Sequence, residues 1–314
     1  MSAADTRSIY VQIDIRGSID EVWRFTQTPH LHEQWDLRFT EIHYLPREDA
    51  DNAQRFLYET RIGLGMTIRG EGETVGQRDV AGGPRTSALK FWSDDSRSLI
   101  RVGSGYWKYV PCDGGTSVRF LTGYDYEVRF GVMGRWVDRW IFRPLMGWAT
   151  AWSFDRLRLW IEDGVVPANA MRRSLAHAVS RLAVSFVWIY QGAIPKLIFN
   201  HPDELTMLRA SGLSLNSARN ICVGAGWAEI VLGLVILFAW KTRWPLWCTL
   251  AVMPLAIIGV SIRSPGFLSA AFNPVSLNVS VGALAAVALL EGGVGLPSAS
   301  RCVRQPSKSE ESAS

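Results

Sequence analysis

The chain has 314 residues, with 33 Lys and Arg against 29 Asp and Glu. The net +4 hides two unlike halves: residues 1–164 hold 21 basic and 23 acidic side chains, and residues 165–314 hold 12 and 6. The basic excess lies beside apolar runs and not in a charged cluster, which excludes a nucleic-acid face and fits an anionic membrane surface. Cys112, Cys222, Cys248 and Cys302 form no C-x-x-C pair, so neither a zinc ribbon nor a dithiol motif is supported. The opening "MSAADTRSIYVQIDIRG" lacks an apolar h-region, which predicts that the first half stays on the side of synthesis.

The first element is a strand in "SIYVQIDIRG", where Val11, Ile13 and Ile15 alternate with Gln12 and Asp14. In "SIDEVWRFTQ", Ser18 and Glu21 have capping-box spacing, and Val22, Trp23 and Phe25 supply an apolar helix face. A second short helix opens after Pro29. Strand-like runs follow at 39–45, 55–62, 66–77, 86–92, 98–110 and 116–128, several separated by Gly and Pro turns. One long helical run covers about 132–162, with Pro144 expected to kink it. His30 and His32 lie two apart on a short helix, which puts them on different faces and argues against a metal site. The chain shows no nucleophile elbow, P-loop or H-E-x-x-H motif.

Strand, two short helices, six strands and a long helix is the order of a helix-grip fold. With the opening from Val11 to Arg24 and Trp35 in the second helix, residues 8–163 resemble the START-like polyketide cyclase (SRPBCC) superfamily. That resemblance implies a curved antiparallel sheet around a long helix, enclosing an apolar cavity for lipids, polyketides or other hydrophobic molecules. Inward aromatic positions Trp35, Tyr58, Phe91, Trp107, Tyr109, Phe120 and Trp136 are the candidate lining, although aromatic burial in a plain core is the default. On the long helix, Trp136, Trp140, Trp148, Trp152 and Trp160 form a slowly turning ridge interleaved with arginines. Its outer side is expected to meet a bilayer interface.

The second half carries three long uncharged or nearly uncharged stretches: 220–240 with only Glu229, 244–262, and 264–290. A fourth, 176–197, has Arg181 and Lys196 near its ends, where long side chains can snorkel. Each is long enough to cross a bilayer, which predicts four transmembrane helices. The alternative is a large buried helical core. Arg172, Arg173, Lys241, Arg243, Arg301, Arg304 and Lys308 on one side, against Lys196, Arg209, Arg219 and Arg263 on the other, predict that both termini face the cytosol. The Ser-rich tail after 291 reads as disordered.

Glu229 sits mid-span, and its helix-face neighbours Ala225 and Gly233 are small, so it is expected to point into a helix bundle. Arg181, Ser185, Trp188 and Gly192 form one stripe on the preceding helix, from which Arg181 is expected to reach toward Glu229. Lys196 is expected to approach from the far side. Gln191, Asn273 and Asn278 add polar groups. The cluster reads either as a site or as a structural Glu–Arg clamp. The segments "RLAVSFVWIYQGAIPKL", "GWAEIVLGLVILFAW" and "FNPVSLNVSVGALAAVAL" resemble the DoxX-like family of four-helix membrane proteins over about 175–291. The wider group includes a subunit linked to quinone-coupled sulfur oxidation, which implies quinone or lipid contact.

The expected architecture is therefore an α+β helix-grip domain at 1–164, a linker at 165–174, an all-α four-helix transmembrane bundle at 175–291 and a tail at 292–314. The expected function is membrane-tethered binding or transfer of a hydrophobic small molecule, in a multi-pass protein of the inner (plasma) membrane. No cofactor motif is visible, and the quinone enters only through the resemblance. Two alternatives stand beside this reading. One is a subunit of a quinone-linked oxidoreductase or an enzyme on a hydrophobic substrate, with Glu229 as proton acceptor and a redox partner protein supplied from elsewhere. The other is a simple membrane anchor held by the clamp.

Overall fold

The computed structural model describes residues 8–47, 49, 52–63, 65–80, 82–293 and 295–306. The chain divides into two compact units, residues 1–170 with 297–314, and residues 171–296.

The first unit is built on a seven-stranded antiparallel sheet. Its strands are β1 (Ile9–Arg16), β2 (Glu41–Tyr44), β3 (Arg55–Gly63), β4 (Met66–Asp79), β5 (Arg85–Trp92), β6 (Ile100–Cys112) and β7 (Ser117–Val128), in the order β1-β7-β6-β5-β4-β3-β2. Helices α1 (Ile19–Gln27) and α2 (Pro29–Trp35) connect the two edge strands. The Ser18 hydroxyl accepts from the Glu21 amide at 3.2 Å and starts α1 as the capping spacing predicts. Large rings lie across the sheet because glycine stands opposite them. Tyr58 pairs with Gly70, and a Cβ there would lie 2.3 Å from the Tyr58 ring. Phe91 pairs with Gly103 in the same way.

The long helical run is not one α-helix. It comprises α3 (Gly131–Val137), a π-helical turn over Asp138–Phe142 and α4 (Arg143–Asp163), with Pro144 opening the last piece. Asp138 ties the turn to the sheet: Tyr126 donates to it at 2.7 Å, and Arg143 forms an ion pair at 3.0 Å. Helix α4 packs along β1, and its Phe154 stacks on Phe120 at 4.4 Å between ring centroids. Trp35, Tyr109 and Phe120 close this aromatic core at zero exposure. Trp35 donates to the Phe25 carbonyl at 2.9 Å, and the Tyr109 hydroxyl meets that of Thr26 at 2.6 Å, so the polar ends of both rings are satisfied.

The segment after 291 differs from the disordered tail expected over 292–314. Val303 exchanges two backbone hydrogen bonds with Gln12, at 2.9 and 3.0 Å, which covers the open edge of β1. The buried Asp155 accepts from the Ser298 amide at 2.7 Å, and the Cys302 thiol contacts the Ala151 carbonyl at 3.2 Å. These contacts are non-local, so a composition argument does not register them. Residues 307–314 lie outside the described residues.

The second unit is helical. Helix α5 (Pro167–Gln191) enters it and continues as a π-helical turn, Gly192–Ile198, with Pro195 inside. Then come α6 (Pro202–Arg209), α7 (Leu215–Phe238), α8 (Trp244–Arg263), a 3₁₀ turn (Pro265–Ser269) and α9 (Pro274–Glu291). The uncharged run 264–290 is thus part turn and part span. Helices α7, α8 and α9 are long and apolar enough to cross a membrane, and the bent pair Pro167–Ile198 with α6 supplies a fourth crossing if it is one span. Only 22 % of each of the three spans is buried, so apolar side chains face outward, which is incompatible with a globular helical core. The inward faces meet at Val184, Trp188, Ile236, Leu246, Met253 and Val281.

Candidate functional site

Between the sheet and the helices of the first unit lies a cavity of about 730 Å³ with predominantly apolar walls. Tyr58, Phe91 and Trp107 line it, joined by Phe39, Phe56 and Tyr124. Burial pushes the Tyr58 hydroxyl up to about 12, so it stays neutral. Trp35, Tyr109 and Phe120, expected in the lining, belong instead to the solid core, where ring-on-ring contacts consume their surfaces. Trp136, the seventh candidate, is 60 % exposed and points away from the cavity wall.

The wall also carries a charged group that the aromatic pattern does not reveal. His32 on α2 and Arg38 just beyond it both line the cavity. Behind them sits Asp36, whose carboxylate is fully buried. Arg38 grips it in bidentate fashion, Nε to Oδ1 at 2.9 Å and Nη2 to Oδ2 at 2.6 Å. His32 Nε2 lies 3.0 Å from Oδ2. Burial opposes the charge on Asp36, but the Arg38 guanidinium and the His32 ring outweigh it and hold the carboxyl well below the ordinary carboxylate range. The Arg38 guanidinium lies 5.4 Å from the centroid of the Tyr124 ring, within cation–π range. A polar anchor is therefore held rigidly at one side of an otherwise apolar cavity. The i, i+4 spacing of His32 and Asp36, which caps the C-terminal end of α2, is the sequence signal that marks it.

Two further buried groups are structural. Arg156 donates to the carbonyls of Gln34 and Pro167 at 2.7 and 3.1 Å, clipping α2 to the start of α5, and burial lowers its pKa to about 10. Asp155 holds Arg158 at 2.7 Å as well as the tail.

In the helical unit the expected polar residues separate into two groups. Arg181 does not reach Glu229. Its guanidinium donates to the carbonyls of Ile236, Ala239 and Thr242 at 2.7, 2.7 and 3.1 Å, satisfying the C-terminal end of α7. Glu229 lies two turns earlier, beyond that reach. The partner of Glu229 is Lys196, at 3.2 Å, and Lys196 also meets Glu204 at 3.3 Å. The Lys196 contact is an ion pair without hydrogen-bond alignment at Glu229 Oε2. Trp188 donates to Thr249 at 3.0 Å, and Ser185 to the Gly233 carbonyl at 2.8 Å. Gly192 and Gly226 let two backbones touch, since a Cβ on Gly192 would lie 2.4 Å from the Gly226 carbonyl oxygen. Asn273 caps α9 by accepting from the Ser276 amide at 2.9 Å. Asn278 and Gln191 are half-buried, and no hydrogen bond joins either to the Lys196 cluster. Among the described residues, no group of three His, Cys, Asp or Glu side chains is placed to hold a metal ion.

Comparison with known proteins gives three findings. The DoxX-like family model matches residues 185–288. The uncharacterized membrane protein YndG of Bacillus subtilis is 48 % identical over 186 residues, covering 59 % of this chain and 69 % of that protein. That match is longer than the helical unit and so includes part of the other one. Among solved structures, the hypothetical protein jhp0584 of Helicobacter pylori is similar over 52 % of this chain and 98 % of its own, at 15 % identity and a TM-score of 0.39. A START superfamily protein from Mycobacterium smegmatis covers 45 % of this chain and 90 % of its own, at 15 % identity and a TM-score of 0.33. At such scores the fold rests on the strand order and helix packing described above.

Proposed function

The chain belongs to the membrane-protein family of YndG, with a DoxX-like helical domain, and on that footing we propose that it binds an amphiphilic small molecule in its helix-grip cavity and exchanges it with the membrane that holds it. The observation that carries this reading is the cavity itself. Its volume of about 730 Å³ falls in the range of small-molecule sites, and its apolar wall bears one rigid polar anchor. An apolar body fills the space between Tyr58, Phe91 and Trp107, while an oxygen acceptor at one end meets Arg38 or His32. Lipids, polyketide-like molecules and quinones all have this form. The seven-to-four distribution of basic residues favours a cytosolic N-terminal unit in the inner membrane.

A second reading has one observation behind it. The Lys196–Glu204–Glu229 cluster places two carboxylates around one ammonium at the end of a membrane helix, an arrangement suited to proton exchange with a quinone. Native mass spectrometry of the gently extracted full chain, with lipidomics on what it carries, tests the first reading. A stoichiometric amphiphile lost in the double variant Asp36→Asn with Arg38→Met, which removes both charges of the buried pair together, supports it. An empty wild-type protein overturns it.

A further inference from the structure

The cavity wall reaches the surface at one end of the grip unit, where three segments are stitched together. Arg97 in the β5–β6 connection donates to the Thr67 carbonyl in β4 at 3.0 Å. Arg129, just after β7, donates to the carbonyls of Ser93 and Asp95 in the same connection. Ile62 of β3 and Phe130 and Met133 at the start of α3 belong to the cavity wall, yet each is more than half exposed. Phe130 holds a left-handed backbone, φ 66°, a conformation uncommon for a bulky residue.

From this mouth an unusual surface runs along α3 and the π-helical turn. Val132, Met133, Trp136, Trp140 and Ile141 are each more than half exposed. Exposed Arg135 and Arg139 lie among them, Arg139 with its guanidinium 5.6 Å from the Trp140 ring centroid. The only acid between 129 and 154 is Asp138, and it is turned inward onto Tyr126 and Arg143. Arg61, exposed at the rim, makes no ion pair among the described residues, nor do Arg135 and Arg139. The face is therefore apolar and purely cationic. Val137 of α3, with Leu145 and Met146 at the start of α4, lines the cavity on the inner side of the same helical run.

We propose that this face docks on an anionic bilayer surface and makes the cavity mouth a membrane-facing portal. Charge complementarity and continuity with the mouth single out lipid as the occupant. Tryptophan with arginine is the composition that settles at the headgroup boundary. A ligand leaving the leaflet then enters the cavity without crossing water. The portal role rests on the cavity reading of the preceding subsection, whereas the docking face does not.

The test uses the full chain in nanodiscs, of phosphatidylcholine alone or mixed with phosphatidylglycerol, with a benzophenone-bearing amino acid in place of Met133, Trp140 or, on β3, Leu57. Lipid adducts are expected at 133 and 140 and not at the exposed control position 57. Arg135→Gln with Arg139→Gln should lower the adduct yield at 140 by about fivefold per arginine in the anionic discs only. Absent lipid adducts, equal yields at all three positions, or cross-links between two copies of the chain would overturn the docking face. Because Trp140 lies outside the cavity wall, lipid contact at 140 is read independently of bound ligand, so its failure is distinguishable from an empty cavity.

Discussion

Replacing Asp36 with Asn removes the charge that holds the cavity's polar anchor. The carboxylate is fully buried and Arg38 is 10 % exposed at its side chain, so solvent does little to compensate the guanidinium left behind. Breaking a buried pair from one side costs about 3–5 kcal/mol. For a unit of this size, about 2–4 °C is lost per kcal/mol, so the melting transition of the grip unit should fall by about 10 °C. Differential scanning calorimetry of the full chain in detergent reads this. Asp36→Asn with Arg38→Met should recover much of the loss, because it removes both charges together. Acid reports the same linkage. The folded Asp36 titrates below its unfolded value, so its contribution is complete above about pH 4 and fades as pH falls further, toward the folded value. The difference between wild type and Asp36→Asn should therefore narrow in strong acid. A variant within about 1 kcal/mol of wild type, or a double variant no better than the single one, would refute the buried-pair account.

Arg181→Met should lower thermal stability in detergent by at least about 3 kcal/mol, since three carbonyls at the end of α7 lose a charged donor. Glu229→Gln should cost less, because Lys196 keeps Glu204; the reverse ranking would restore the clamp at Glu229. Gly192→Val should destabilise by about 1–3 kcal/mol, whereas Gly224→Ala, with open space at its Cβ, should be silent in the same melt. Burial pushes the Cys302 thiol up to about 12, so alkylation of Cys302 at pH 8 should be about a thousandfold slower than that of an unstructured cysteine. An ordinary rate, measured by peptide mass spectrometry, would show that residues 297–306 are not packed on the grip unit.

Much of the architecture is legible in local pattern. Alternation at Val11–Ile15, the Ser18–Glu21 cap and the Gly-punctuated strands reappear in the sheet, because each is decided by neighbours in sequence. The stripe Arg181–Ser185–Trp188–Gly192 does face the other helices, through Thr249, Gly233 and Gly226. Which partner each residue takes is a matter of depth along the bundle, and helix periodicity carries no depth. Arg181 consequently meets the end of α7 and leaves Glu229 to Lys196. In the cavity, aromatic identity alone does not separate wall from core. Trp107 and Phe120 occupy neighbouring strands and touch each other, yet Trp107 also reaches the cavity and Phe120 does not. The Asp36 anchor escapes because a hydrophobic-pattern reading passes over charges, and the docked tail because its pairing with β1 spans nearly the whole chain.

The most direct test of the cavity account compares wild type, Ala149→Trp and Glu229→Gln by native mass spectrometry after gentle extraction. Ala149 lies in the cavity wall, so tryptophan there fills the space while every residue of the Lys196 cluster is left unchanged. The account predicts a stoichiometric amphiphile in wild type and Glu229→Gln, and its loss in Ala149→Trp. An amphiphile retained by Ala149→Trp but lost from Glu229→Gln would contradict it and move the site into the membrane helices.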